Sequence, residues 1–159
     1  MKIGVISDTH LSEPDERLYR LADHIFADAD MILHAGDLVN LAVLKVFSDK
    51  KVISVRGNMD RQEVAAKLPD KEIIAVGRFR IGLIHGWGSP RGIEDKIKGC
   101  FTDVNAIVYG HTHKAANHLK DGLLFFNPGA FSGTFLMGRN RSVGVLIVSD
   151  TIEGAIIRL

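Results

Sequence analysis

Cysteine is all but missing from this chain of 159 residues. Cys100 stands alone, so no disulfide can close within the chain and no thiolate zinc centre can be built from it; a reducing cytoplasm is the expected compartment. An excess of one charge is missing as well. Twenty Lys and Arg face 19 Asp and Glu, and the resulting formal charge of +1 offers no general attraction to long nucleic acid or to a membrane surface. No Pro- or Ser-rich linker, low-complexity stretch or repeat of solenoid length marks a boundary, so residues 1–159 are expected to form one domain. Long hydrophobic runs are lacking too: the apolar segment 3–6 is much too short for a signal-peptide core or a membrane span, and export is not expected. What remains is an ordinary composition, 46% hydrophobic and 25% charged, in a chain long enough to bury about 70% of its unfolded surface.

Short β-branched runs recur at 3–6, 31–33, 52–55, 81–84 and 106–109, as strands of a sheet covered on both faces would read. Between the first two, Leu18, Leu21, Ala22, Ile25 and Phe26 repeat at helical spacing, with Ser12 and Asp15 as a capping box around Pro14. A second helix is expected from Asn40, carrying Leu41, Leu44 and Phe47 inward, which makes the opening third βαβαβ. Segments 72–76 and 79–84 flank Gly77-Arg78 as a tight hairpin, so the sheet is mixed. A third helix is expected from Ser89-Pro90, and 122–126, 142–149 and 153–159 read as further strands. The expected fold class is α/β, a four-layer αββα sandwich of two mixed β-sheets flanked by helices.

Each of the five early runs ends at or near a metal-ligating side chain: Asp8 and His10, Asp37, Asn58, His85, then His111 and His113. Ligands of open α/β sheets bind at the carboxyl ends of strands, so these seven can meet on one rim despite their separation in sequence. Asp8 and His10, like His111 and His113, are two apart and would share a side if the backbone there is extended. Gly36, Gly57, Gly86 and Gly110 adjoin a candidate, where a missing side chain permits a sharp turn or a close approach. Imidazole, carboxylate and amide oxygen without thiolate suit Mn²⁺, Ni²⁺, Co²⁺, Fe²⁺ or Zn²⁺, with manganese the first choice. Seven donors exceed the needs of one ion, whereas two ions about 3.5–4 Å apart would use them all, with Asp37 as the bridge.

In this order the blocks Asp8-Thr9-His10, Gly36-Asp37, Gly57-Asn58-Met59-Asp60, His85-Gly86 and Gly110-His111-Thr112-His113 resemble the signature of the calcineurin-like metallophosphoesterase superfamily. Asn127-Pro128-Gly129 matches a further element of its small, uncapped YfcE-like phosphodiesterase branch. The resemblance implies one ion held by Asp8, His10, Asp37 and His113 and another by Asp37, Asn58, His85 and His111. It also implies a bridging hydroxide for in-line attack on phosphorus and a catalytic role for Asp37, Asn58 and His111. The chain departs from the signature at Met59, where the superfamily usually has His. Losing that imidazole removes help to the leaving group typically worth about 10² to 10⁴ in rate, which favours diesters over monoesters.

The expected activity is therefore metal-dependent hydrolysis of a small phosphodiester, with no long nucleic acid as substrate. The alternatives are a phosphomonoesterase and a non-catalytic protein-binding scaffold of the same fold. Arg56 and Arg61, beside the third block, are candidate phosphate contacts outside the core set, and His24 and His118 are expected on the surface. The uncharged stretch 131–137 is expected to contribute to a homodimer contact.

Overall fold

Alternation of side chains along each strand decides what it covers. In β1 (Lys2–Ile6), Ile3 and Val5 face one side and Ile6 the other, and all three are fully buried. The computed structural model, which describes residues 1–133 and 140–159, shows why: a second sheet lies on one face and helical segments lie on the other.

The first sheet runs β10 (Ile152–Arg158), β9 (Ser142–Val148), β1, β2 (Met31–His34), β3 (Lys51–Ser54). Its β1, β2 and β3 are parallel, while β9 and β10 are antiparallel additions. The second runs β4 (Lys71–Val76), β5 (Phe79–Ile84), β6 (Ala106–Val108), β8 (Leu123–Asn127), β7 (Ala116–Lys120). Between them Ile3, Val5 and Leu33 meet Ile81, Leu83, Val108 and Phe126. The outer face of the first sheet buries Ile32 against Leu18, Phe26 and Phe47, and that of the second buries Ile107 and Phe125 against Ile93 and Ile97. Apolar contact on both faces of both sheets produces the expected four layers. No helix among the described residues is long and apolar enough to cross a membrane.

The helical segments differ from expectation in detail. α1 (Glu16–Arg20) is capped by Asp15 alone, whose Oδ1 accepts from Leu18 N at 3.1 Å, and Ser12 takes no part. The helix then widens into a π turn over Leu21–Ile25, closed by Phe26 N donating to Leu21 O at 3.0 Å; residues five apart thereby share a face, and both Leu21 and Phe26 are buried. The segment beginning after Asn40 is a 3₁₀ helix, Leu41–Phe47, with Asn40 as its cap. α2 (Gln62–Ala65) was not anticipated. α3 (Ile93–Lys98) starts later than Ser89-Pro90 because Gly92, at φ 71°, turns the chain into it. The Gly77-Arg78 hairpin is present. β7 was also missed: it is an edge strand that pairs with β8 and has no buried residue to give it an apolar pattern. Phe131 is fully buried beneath the first sheet rather than available to a partner, and 134–137 of the proposed dimer stretch lie outside the described residues.

Candidate metal centre

Asp8 and His10 follow β1, Asp37 follows β2, Asn58 follows β3, His85 follows β5, and His111 and His113 follow β6, so the loops of both sheets contribute to one rim. Donor atoms of Asp8, His10, Asp37 and His113 all lie within 4.8 Å of one another. His113 Nε2 is 3.0 Å from Asp8 Oδ1 and 3.4 Å from His10 Nε2, which is 4.0 Å from Asp37 Oδ2. That same Asp37 oxygen is 3.3 Å from His85 Nε2, which is 3.2 Å from Asn58 Oδ1; His111 Nδ1 is 2.9 Å from the Asn58 oxygen. Asp37 thus belongs to the quartet Asp8, His10, Asp37 and His113 and starts a chain of contacts that runs through His85 and Asn58 to His111.

Convergence is not achieved by extended backbone. Asp8 (φ 54°), His10 (49°), Asp37 (56°), His111 (65°) and His113 (56°) are all left-handed. For residues other than glycine this conformation costs about 1–2 kcal/mol each, and such strain gathers where side-chain placement matters more than backbone comfort. Close approach sets the glycines. A side chain on Gly57 would collide with Asp37 Oδ1, and one on Gly110 would collide with Ser7 Oγ and come within 2.9 Å of Asp8 Oδ2.

Surrounding bonds aim the donors. His85 Nδ1 donates to Ala35 O at 2.7 Å and His111 Nε2 donates to Gly88 O at 2.8 Å, so that in the neutral rings the lone pair of His85 Nε2 faces Asn58 and Asp37 and that of His111 Nδ1 faces Asn58; a protonated His85 instead donates Nε2–H to Asp37. Asp37 Oδ1 accepts from Met59 N at 2.7 Å, and Ser7 Oγ donates to Asp8 Oδ2 at 2.5 Å. Three further residues hold the loops. Asp60 accepts from Val39 N and Gly57 N at 2.6 and 2.7 Å, tying the loop after β2 to that after β3. Asn127 donates to Gly110 O at 2.8 Å and to Thr112 Oγ1 at 3.1 Å, bracing the His111–His113 turn. His34, fully buried, accepts from Gly36 N at 3.2 Å through Nδ1 and reaches Thr9 Oγ1 at 3.2 Å through Nε2. Sequence reading passed over His34, which sits inside an apolar strand with no motif around it.

Electrostatics follow this geometry. Burial disfavours the Asp37 carboxylate, yet bonds from His85 and from Met59 N–H outweigh it and hold its pKa below the ordinary value. Burial likewise opposes the charged form of His85, but Asp37 and Asp8 raise its pKa on balance; His113 is raised chiefly by Asp8. His34 is pushed down to about 4, first by burial. Asp8 Oδ1 is the most telling atom. It is fully buried, and although 3.0 Å from His113 Nε2 it lacks a properly aligned hydrogen bond. A buried carboxylate oxygen without a partner is costly, and a cation among these four donors would satisfy it. The residues present fit a divalent transition metal.

The calcineurin-like phosphoesterase superfamily domain matches residues 1–151. The chain belongs to this superfamily. It is 36% identical to a probable metallophosphoesterase of Methanocaldococcus jannaschii, over 99% of this chain and 81% of that protein. It is 32% identical to a phosphodiesterase of the same organism, over 84% of this chain and 86% of that one. A solved archaeal phosphodiesterase superposes with a TM-score of 0.79 at 29% identity, covering all of both chains. Within this calcineurin-like phosphoesterase, the Met59 side chain is 60% exposed while its N–H donates to Asp37 Oδ1. Arg56 is paired with Asp70 and Arg61 precedes α2, so neither belongs to the donor cluster. His24 lies exposed on the π turn; His118 lies exposed on β7, stacked on Phe125 and bonded to Glu94.

Proposed function

We propose that this chain is a phosphodiesterase holding two divalent transition-metal ions, manganese first among them, one at Asp8, His10, Asp37 and His113 and one at Asp37, Asn58, His85 and His111. The observation that carries the reading is the buried, unpartnered Asp8 Oδ1 within a cluster of imidazole and carboxylate donors that a second set extends through Asp37. Bound ions supply Lewis-acid neutralisation of phosphoryl charge and lower the pKa of water toward neutrality. The protein's own residues do the positioning: Asp37 joins the two donor sets, Asn58 presents its amide oxygen to both His85 and His111, and the bond to Gly88 O fixes the His111 tautomer. These three, Asp37, Asn58 and His111, are the residues on which catalysis is proposed to depend.

Clefts flank the centre on two sides. One of about 440 Å³ is lined by Asn58, His85, Arg56 and half-exposed Trp87, and the other, of about 750 Å³, begins at His113. A diester has two substituents and needs two such spaces, whereas a monoester needs one. Without an imidazole at position 59, the leaving group receives no proton from that side, which also favours diesters. A scaffold has no use for the donor set or for five strained residues that aim it.

The test is metal content together with hydrolysis of bis-p-nitrophenyl phosphate by protein loaded with Mn²⁺. About two ions per chain and steady turnover are expected, with Asp37→Ala losing both while retaining its far-ultraviolet spectrum. A folded, metal-loaded wild type that leaves the diester intact would sink the proposal and favour the scaffold.

A further inference from the structure

The cleft of about 750 Å³ beside the donors is lined by His113, Lys114, Asn140, Arg141 and Arg158 among others, and by no carboxylate. Among the described residues, Lys114, Arg141 and Arg158 have no acidic group within ion-pairing distance, whereas Arg80, Lys98 and Lys120 pair with Asp103, Asp121 and Asp95. Three unneutralised cations in one concavity repel one another, and the arrangement is relieved by an anion. The backbone that carries them is held in place, although the Lys114 and Arg158 side chains are exposed. Arg158 ends β10 directly opposite Ser142 at the start of β9, and Leu159 N donates to Arg141 O at 3.0 Å. Ser142 Oγ donates to Pro128 O at 2.7 Å, and Lys114 N donates to Thr112 Oγ1 at 3.2 Å. The opposite cleft differs: its Arg56 is neutralised by Asp70, and Trp87 offers an apolar face.

We infer that the His113-side cleft is a subsite for an anionic substituent of the diester, one that carries a further phosphate group, held by Arg141, Arg158 and Lys114. The inference rests on the phosphodiesterase reading for its substrate, though not for the binding of the anion. His113 belongs both to the donor cluster and to the cleft wall, so one small molecule spans the two. Arginine is suited to the task because its planar fork takes two phosphate oxygens at once. The chain's overall charge of +1 is compatible with this, since a local field selects a short, multiply charged ligand without attracting a polymer.

Two measurements on the full chain test it. With Mn²⁺ bound, turnover is compared for the p-nitrophenyl ester of thymidine 5′-phosphate and for the same ester bearing a 3′-phosphate. The phosphorylated ester is expected to show kcat/KM higher by about tenfold or more, mainly through KM, and the Arg141→Gln/Arg158→Gln double variant is expected to lose that preference. Calorimetric titration of the chelator-treated chain with thymidine 3′,5′-bisphosphate reads the cleft without turnover, and the double variant should bind about tenfold more weakly or worse. Should the double variant fail to fold, Lys114→Gln, on an exposed loop, supplies the same two readouts. If neither ester is cleaved while the bisphosphate still binds through the arginines, the hydrolase reading falls and the anion subsite stands. Equal kcat/KM for the two esters, with bisphosphate binding indifferent to the substitutions, overturns the subsite alone.

Discussion

Single residues at this rim have separable jobs. Met59 contributes its backbone N–H to Asp37 while its side chain projects into solvent, so Met59→His adds an imidazole beside the donors without displacing a buried group. Turnover of p-nitrophenyl phosphate should rise by about a hundredfold, the lower end of the range of about 10² to 10⁴ that general-acid help supplies; an unchanged rate would show that position 59 does not reach the leaving oxygen. His34 acts through stability. Its pKa is about 4 in the folded chain against 6.5 for a free imidazole, so unfolding takes up a proton between those pH values. The resulting stability is complete above about pH 6.5, is lost as pH falls toward 4, and amounts to about 3 kcal/mol. His34→Gln keeps one acceptor and one donor for Gly36 N and Thr9 Oγ1 but cannot titrate. Urea midpoints measured from pH 7 to 4.5 should therefore fall less steeply for the variant than for the wild type. The placement of all seven candidate donors at strand ends was legible in the sequence because each follows an apolar strand within a recognisable block. The supports were not, because a side chain that reaches another loop, as Asp60 reaches Val39 N and His34 reaches Thr9 Oγ1, imposes no local pattern.

At the scale of elements, legibility followed burial. Strands with buried faces, such as β1, β2, β5 and β6, could be read from their apolar runs, while β7, at an edge and without a buried residue, could not. The π turn after α1 was hidden because helical spacing at 3.6 and widened spacing at five both satisfy a run of Leu, Ala, Ile and Phe. Extended pairing of Asp8 with His10 was the reasonable expectation at the end of a strand; the chain uses left-handed residues there, and side-chain clamps compensate their strain. Asp60 is the clearest clamp, since each of its oxygens takes one backbone N–H from a different loop. Asp60→Asn converts one acceptor into an amide donor facing Val39 N or Gly57 N. A loss of about 1–3 kcal/mol in urea denaturation is expected, together with weaker Mn²⁺ binding as the Asp37 and Asn58 loops separate. Unaltered stability would mean that the loops hold their own shape.

For the whole molecule, the two sheets meet through an apolar interface, and at the rim their carboxyl-end loops meet through polar side chains and through backbone bonds from Phe131 N to Ser7 O at 3.0 Å and from Ser132 N to Asp8 O at 3.2 Å. Asp8, His10, Asp37 and Asn58 belong to loops of the first sheet, and His85, His111 and His113 to loops of the second. Cations bound among them would tie one sheet to the other at the rim, where buried Asp8 and Asp37 otherwise rely on histidines for compensation. A ligand that binds only the folded chain stabilises it by mass action, about 2.7 kcal/mol when present at a hundred times its Kd. For a chain of this size that is a rise in Tm of roughly 5–10 °C. Chelator-treated protein should melt lower by this amount and recover on addition of Mn²⁺, while Asp37→Ala, lacking the residue common to both donor sets, should melt at one temperature with or without the metal. A wild type whose melting ignored Mn²⁺ at every concentration would mean that the sheets are joined without metal, and that the unpartnered oxygen of Asp8 is tolerated strain.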